Sequence, residues 1–161
     1  MLYPPKFGND PLFPQEQDFR VMFKDNTSGQ GVFTFRAFAK GEIIAKMAGE
    51  VIEEIRQHTL QINETQHLFD RHFSGYFLHA CDPNISLNME EMTVTALKDI
   101  PANSWLFMDY AETEDHLFKQ FPCSCGSYNC RGWIGGKFDH LPQQKHPSML
   151  GDTLGLTLET A

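Results

Sequence analysis

The 161-residue chain has few basic residues, with 13 Lys and Arg against 21 Asp and Glu and a formal net charge of -8. This balance opposes a broad phosphate-binding surface and favours a cationic ligand, although acidity also serves solubility alone in many proteins. No apolar run is long enough to cross a bilayer, and residues 1–5 lack the basic and hydrophobic regions of a signal peptide. We therefore expect no direct nucleic-acid binding, no membrane association, and a cytoplasmic or nuclear location.

Helical periodicity is also scarce. Short alternating or β-branched runs predict strands at residues 19–23, 31–35, 43–47 and 92–97. Only two segments are helix candidates, 112–121 with two turns and 53–58 with one. A hydrophobic content of 41% with 14 Phe is enough for one sizeable core. The sequence therefore predicts a β-rich α+β domain made of several small sheets.

Cysteine occurs only four times, but the spacing is informative. Cys123, Cys125 and Cys130 form a C-x-C-x4-C cluster in a turn-rich segment, and Cys81 lies far upstream. A structural zinc ion takes four thiolate or imidazole ligands in a closed tetrahedron, so this set predicts one Zn²⁺ site with no cysteine left over. The alternative is that Cys81 is a buried small hydrophobe, while the other three are loop thiols or a disulfide with one cysteine remaining.

Several motifs follow one another in a fixed order. They are Ser-Gly-Gln-Gly-Val-Phe (28–33), Lys-Gly-Glu (40–42), Gly-Glu-Val (49–51), Leu-His-Ala-Cys-Asp-Pro-Asn (78–84), Met-Asp-Tyr (108–110) and Cys-Arg-Gly-Trp-Ile-Gly (130–135). Their set and order resemble the SET-domain methyltransferases that carry a post-SET zinc segment. Each motif alone is a weak match, but the ordered set covers most of the chain.

This resemblance implies a SET-domain fold with a C-terminal pseudoknot and a post-SET zinc cluster. It divides the chain into an N-terminal segment (1–18), a SET domain (19–112), a post-SET zinc-binding segment (113–136) and a C-terminal tail (137–161). It also implies S-adenosyl-L-methionine as the methyl donor and a lysine-type amine as the acceptor. The acceptor is either a lysine side chain of a protein or a small-molecule amine or free amino acid.

The resemblance also assigns roles to individual residues. Tyr110 matches the catalytic tyrosine, whose hydroxyl orients the methyl-transfer site. Met108 and Tyr76 are assigned to the substrate channel, and Met108 stands where the family carries Phe or Tyr. Because methionine has no hydroxyl to hold water beside the accepting nitrogen, we expect multiple methylation. The residues assigned to the cofactor are Gly29, Gln30, Gly31, Leu78, His79, Tyr110 and Trp133, and those assigned to zinc are Cys81, Cys123, Cys125 and Cys130.

The chain also departs from the family pattern. Leu78 and Ala80 replace the asparagine and serine of the signature, which removes a hydrogen bond to the cofactor worth roughly 0.5 to 1.5 kcal/mol. Gln30 stands where an aromatic residue is frequent. The segment 53–74 is short, which suits either an exposed lysine on many proteins or a small free amine. A third hypothesis is a catalytically weak, SET-like binding module.

Overall fold

The computed structural model describes residues 1–142 and consists mainly of short strands. In chain order the strands are β1 (Phe19–Asp25), β2 (Gly29–Thr34), β3 (Ile43–Lys46), β4 (Glu50–Ile52), β5 (Thr59–Gln61), β6 (His67–Phe69), β7 (Leu78–His79), β8 (Ile85–Asn88), β9 (Thr93–Ala96), β10 (Ser104–Trp105), β11 (Phe107–Met108), β12 (Phe121–Pro122) and β13 (Trp133–Ile134). The described residues also contain one helix, α1 (Tyr110–Thr113), and 3₁₀ turns at Pro5–Phe7 and Ser74–Tyr76. None of these helical segments is long and apolar enough to span a membrane. The expected tail lies beyond residue 142 for most of its length, outside the described residues.

The strands form five small sheets. Three of them have three strands each, in the orders β1-β2-β10, β3-β9-β8 and β4-β6-β5, with antiparallel pairing throughout. The other two are the parallel pair β7 and β11 and the antiparallel pair β12 and β13. The predicted strands at 19–23, 31–35, 43–47 and 92–97 correspond to β1, β2, β3 and β9. The expected fold class, several small sheets with little helix, is confirmed.

The helix predicted at 112–121 has the wrong bounds, and the helix predicted at 53–58 is absent. The helix begins earlier and ends sooner than predicted, since the Asp109 side chain caps it by accepting from the Ala111 N–H and the backbone is extended again at Glu114. The segment 53–58 forms turns instead of a helix. His58 at its end has a φ of 69°, and its Nδ1 lies 2.9 Å from the Gly75 carbonyl oxygen.

The chain crosses itself near the centre of the molecule. Residues 104–108 pair with β2 on one side through β10 and with β7 on the other through β11. Between these two pairings, the Leu106 N–H donates to the Val32 carbonyl at 3.0 Å. The Asn84 side chain holds the crossing, since it donates to the Trp105 carbonyl at 2.9 Å and accepts from the Phe107 N–H at 2.8 Å. This crossing corresponds to the expected C-terminal pseudoknot.

A fully buried carboxylate, Asp70, organises the turn that leads into β7. Its Oδ2 accepts from the Tyr3 hydroxyl at 2.6 Å and from the Ser74 hydroxyl and N–H at 2.5 and 2.7 Å. Its Oδ1 accepts from the N–H groups of His72 and Phe73 at 2.8 and 3.1 Å. Burial and the adjacent carboxylate raise the pKa of the Tyr3 hydroxyl, which therefore stays a donor. The N-terminal segment is thereby bonded to the turn that precedes β7.

Replacing Tyr3 by Phe should destabilise the protein by about 1.5 to 3 kcal/mol, because the buried Asp70 side chain loses one of its hydrogen bonds. The measurement is the free energy of unfolding from urea titration. Tyr128→Phe is the matched control, since Tyr128 is 94% exposed and should show no change. Equal stability of the two variants would contradict the role given to Asp70.

Candidate functional site

The four cysteines lie together. Their Sγ atoms are all within 4.8 Å of one another, and those of Cys81 and Cys123 are 4.0 Å apart. All four are free thiols, so the disulfide alternative fails. Four sulfurs around zinc at about 2.3 Å would be separated by roughly 3.8 Å, close to the observed spacing. The structure thus brings the one remote and the three neighbouring cysteines into a single set whose donor chemistry fits zinc, and their role as zinc ligands stays a prediction.

Hydrogen-bond donors surround the sulfur of Cys81. The Arg131 N–H donates to this sulfur at 3.4 Å, and His79 Nε2 lies 3.5 Å away. Because His79 Nδ1 accepts from the Tyr110 N–H at 3.2 Å, the ring proton is on Nε2 and points at the sulfur. Burial lowers the pKa of His79 to about 4, with Asp109 opposing this shift and Arg131 adding to it. His79 is thus a neutral link between the cysteine cluster and Tyr110.

A cavity of about 830 Å³ lies beside the cysteine cluster. Its wall includes seven residues that the sequence assigned to the cofactor or the acceptor: Gly29, Gln30, Tyr76, Leu78, His79, Met108 and Tyr110. Cys123 and Cys125 form part of the same wall, so the metal cluster borders the cavity directly. The volume is within the range of small-molecule sites in proteins. The fold thus gathers residues from four separate motifs around one space.

Two assigned residues lie off this wall. A Cβ on Gly31 would sit 2.6 Å from Leu78 Cδ1 and 3.2 Å from the Trp105 ring, so Gly31 leaves room for the side chain that replaces the family asparagine. Trp133 is in β13, where its Nε1 donates to Gln120 Oε1 at 3.0 Å. Gly29, by contrast, has a φ of 71° and needs glycine for its backbone conformation. For Gly31 and Trp133, as for the assigned residues on the wall, a direct contact with cofactor stays a prediction.

The hydroxyl of Tyr110 is held in place from two sides. It donates to the Phe77 carbonyl at 2.7 Å, and the ring packs edge-on against His79 and Phe121, with centroids 5.2 and 5.9 Å apart. Burial, and then the carboxylate of Glu114, raise the pKa of this hydroxyl. It therefore stays protonated at neutral pH and presents a fixed dipole to the cavity.

Sequence reasoning missed Glu114, which is only 5% exposed and lines the cavity. Its Oε1 accepts from the Gln61 N–H at 2.9 Å, and this contact joins the end of α1 to β5. Burial raises the pKa of Glu114 to about 7; the bond from Gln61 lowers it and the nearby charge of Asp115 raises it. The local pattern placed Glu114 in a predicted helix and gave no indication that its side chain is buried.

Zinc binding is directly testable. Protein prepared without chelator should contain one zinc ion per chain, and Cys125→Ser should hold less than about half an equivalent after dialysis, because the tetrahedron loses a ligand. Elemental analysis measures both values. Ser124→Ala, a change at the adjacent exposed position, is the control and should keep full zinc. A wild-type protein free of zinc would contradict the assignment.

Glu114 should also make stability depend on pH. Its pKa is about 7 in the folded protein against an ordinary 4.5, so the folded state favours the protonated carboxyl. The stability that this protonation contributes is complete below pH 4.5 and is lost as the pH rises through 7. From acidic to neutral pH, the stability of the wild type should fall by about 3 kcal/mol relative to Glu114→Gln.

Urea unfolding across this range measures the difference between the two proteins. Other titrating groups, including His79, cancel because both proteins contain them. Glu112→Gln, at an exposed position of α1, should follow the wild type. A wild-type-minus-variant difference that stays constant with pH would refute the buried-carboxylate interpretation.

Comparison with known proteins places this geometry in context. The chain is 28% identical over 139 residues to "Histone-lysine N-methyltransferase ash1" of Drosophila melanogaster, and this match covers 71% of this chain and 6% of that protein. It is 27% identical over 159 residues to "Histone-lysine N-methyltransferase, H3 lysine-9 specific" of Schizosaccharomyces pombe, covering 71% and 32%. A shorter match, 35% identical over 66 residues, joins it to "Methyltransferase flvH" of Aspergillus flavus and covers 40% and 37%. The chain thus spans only a minor part of each of these relatives.

Solved structures share the fold. The methyltransferase domain of human Histone-lysine N-methyltransferase SETMAR matches with a TM-score of 0.58 at 18% identity, covering 73% of this chain and 58% of that one. KRYPTONITE, solved in complex with mCHG DNA and SAH, matches with a TM-score of 0.60 at 19% identity, covering 73% and 29%. The family model named SET domain matches residues 29–111, which run from the first glycine of β2 through the start of α1. Since that match takes in more than half of the chain, the chain belongs to the SET-domain family.

Proposed function

We propose that this protein is an S-adenosylmethionine-dependent N-methyltransferase that transfers methyl groups to a lysine side-chain amine of a protein. The observation that carries the proposal is Tyr110, whose protonated hydroxyl is fixed at the wall of the cavity by the Phe77 carbonyl. A retained tyrosine with an oriented hydroxyl in a preformed cavity argues against the weak binding-module hypothesis.

The residues around the cavity fit the cofactor. Gly29 leaves open space where a side chain would stand, and the neighbouring Gln30 is exposed at the rim. Lys119 places positive charge on the wall for a carboxylate group, and Phe121 offers an aromatic face beside the cysteine cluster. When bound, S-adenosylmethionine supplies an electrophilic methyl group on a sulfonium. The apolar Leu78 makes no hydrogen bond with its side chain, so backbone groups have to carry more of the binding.

The protein's own contribution is to position the amine and to keep it neutral. The Tyr110 hydroxyl and the Phe77 carbonyl fix polar atoms at one place on the wall, and Met108 fills the adjacent space without adding a hydroxyl. Burial of an amine among such groups lowers its pKa and promotes loss of the ammonium proton. Orientation of this kind supplies roughly 7 to 11 kcal/mol in favourable cases, so little further chemical help is needed.

A protein lysine is the acceptor supported by the named relatives, since two of them are called histone-lysine N-methyltransferases. The net charge of -8 agrees with a basic partner. Free thiols that bind zinc also fit a reducing intracellular compartment, either nuclear or cytoplasmic.

The size of the cavity wall favours a second candidate, a small-molecule amine. The part of the wall contributed by residues 55–60 consists of a turn and the start of β5, a strand of only three residues. A wall this small leaves little surface to contact the peptide residues on both sides of a substrate lysine. A labelled-methyl assay should therefore offer the enzyme both a protein lysate and a pool of free amines.

Tyr110→Phe should lower the rate of labelled-methyl transfer by about 100-fold, because the fixed hydroxyl dipole acts at the reacting centre. Cofactor affinity, measured by isothermal titration, should change little. Tyr128→Phe, the exposed control, should keep the wild-type rate. Near-normal turnover in Tyr110→Phe would remove this residue from the mechanism, and a wild type that fails to bind cofactor would leave the binding module as the better hypothesis.

A further inference from the structure

Glu114 stands out among the cavity residues by its charge. Within residues 1–142 it is the one Asp or Glu on the cavity wall, although the chain as a whole is acidic. Its Oε1 is engaged by the Gln61 N–H at 2.9 Å. No donor from the described part of the chain reaches its Oε2. One oxygen of a nearly buried carboxylate is thus left for a partner from outside the protein.

The protein does not neutralise this carboxylate with its own cations. Three basic side chains share the cavity wall, but in the described residues no Lys or Arg comes within 4.0 Å of Glu114. Lys24 is bonded to Asp25 at 2.5 Å, and the Arg56 guanidinium stacks over the Phe69 ring at 4.1 Å. A buried carboxylate without a counter-ion is costly, so it either takes up a proton or binds a ligand that supplies the positive charge.

Aromatic rings line the same part of the cavity. The rings of His58 and Tyr76 pack at a tilt of 39° with centroids 4.3 Å apart, and Phe77 and Tyr110 also line the cavity. Glu114 is tied to this group, because its N–H donates to the Tyr110 carbonyl at 2.9 Å. Aromatic faces attract cations, and a single carboxylate among them fixes the position at which a cation binds.

We propose that the free oxygen of Glu114 binds the ammonium group of the incoming acceptor, so that Glu114 determines specificity for a cationic primary amine over a neutral alcohol or amide. This assignment rests on the proposed function and deepens it, because it names the group that recognises the amine. The ammonium is held by a charge-assisted hydrogen bond until it transfers its proton to water, and the neutral amine then reaches Tyr110. Glu114 is a specificity residue, separate from the cofactor positions at Gly29 and Gln30.

The test uses the zinc-loaded protein and two probes of similar shape, n-butylammonium chloride and 1-butanol. Titration at pH 8, followed by amide NMR shifts, should show the wild type binding the ammonium about tenfold or more tightly than the alcohol, as expected for one hydrogen bond to a charged group. The Gln61 amide should move during the ammonium titration, because it is bonded to Glu114.

Glu114→Gln keeps an acceptor for the Gln61 N–H but removes the charge, and it should bind the two probes equally. Glu112→Gln removes the same charge at an exposed position and should keep the ammonium preference. The proposal is overturned if the wild type binds no butylammonium, if it does not prefer the ammonium, or if Glu114→Gln keeps the preference. Should Glu114→Gln fail to fold, the wild-type preference and the Gln61 shift still decide the question.

Cofactor binding is measured separately, by isothermal titration without an amine. A wild type that fails to bind S-adenosylmethionine but prefers butylammonium contradicts the proposed function and leaves the ammonium site in place. A wild type that binds the cofactor and transfers methyl groups without preferring the ammonium contradicts only the role of Glu114. Unchanged cofactor affinity in Glu114→Gln is the expected result.

Discussion

The buried carboxylate of Asp70 is the interaction on which the rest of the site depends. It has no cationic neighbour within 4.0 Å in the described residues, so its stability comes from the five donors that converge on it. Those donors belong to the N-terminal segment and to residues 72–74, which lead into the turn Ser74–Tyr76 and are far from that segment in the sequence. This turn is followed directly by Phe77 and Leu78, so it positions the Phe77 carbonyl and the Leu78 side chain at the cavity. The position of the Tyr110 hydroxyl is therefore set by hydrogen bonds that begin at Asp70.

A second set of contacts joins the metal cluster to the same cavity. His79 bonds Tyr110 through one ring nitrogen and faces the Cys81 sulfur with the other, so both sites share one imidazole. Arg131 connects them again, since its N–H donates to Cys81 and its guanidinium donates to Asp109 at 2.6 Å. Asp109 also caps α1, which carries Tyr110. The cysteine cluster thus acts as the structural support of one cavity wall.

Features set by local spacing could be predicted from the sequence, whereas features set by long-range register could not. The β-branched run of β9 and the cysteine spacing identified a strand and a metal set directly. Glu114 was missed because its burial depends on Gln61, 53 residues away. The packing role of Gly31 could not be predicted either, since only the folded structure shows that it faces Leu78. Local helical pattern failed at 53–58 for the same reason, because His58 is bonded across the fold to Gly75.

The crossing held by Asn84 has a consequence for how the protein matures. It brings together β2, β7 and the segment 104–108, so several long loops must close before any of its hydrogen bonds form. Loop closure costs entropy that only the finished contacts repay, which places this step late in folding. Cys81 lies immediately before the crossing, and its partner Cys123 is 42 residues further on. A chain that has made only its hairpins cannot assemble the metal tetrahedron, and metal uptake therefore marks the molecules that have completed their folding.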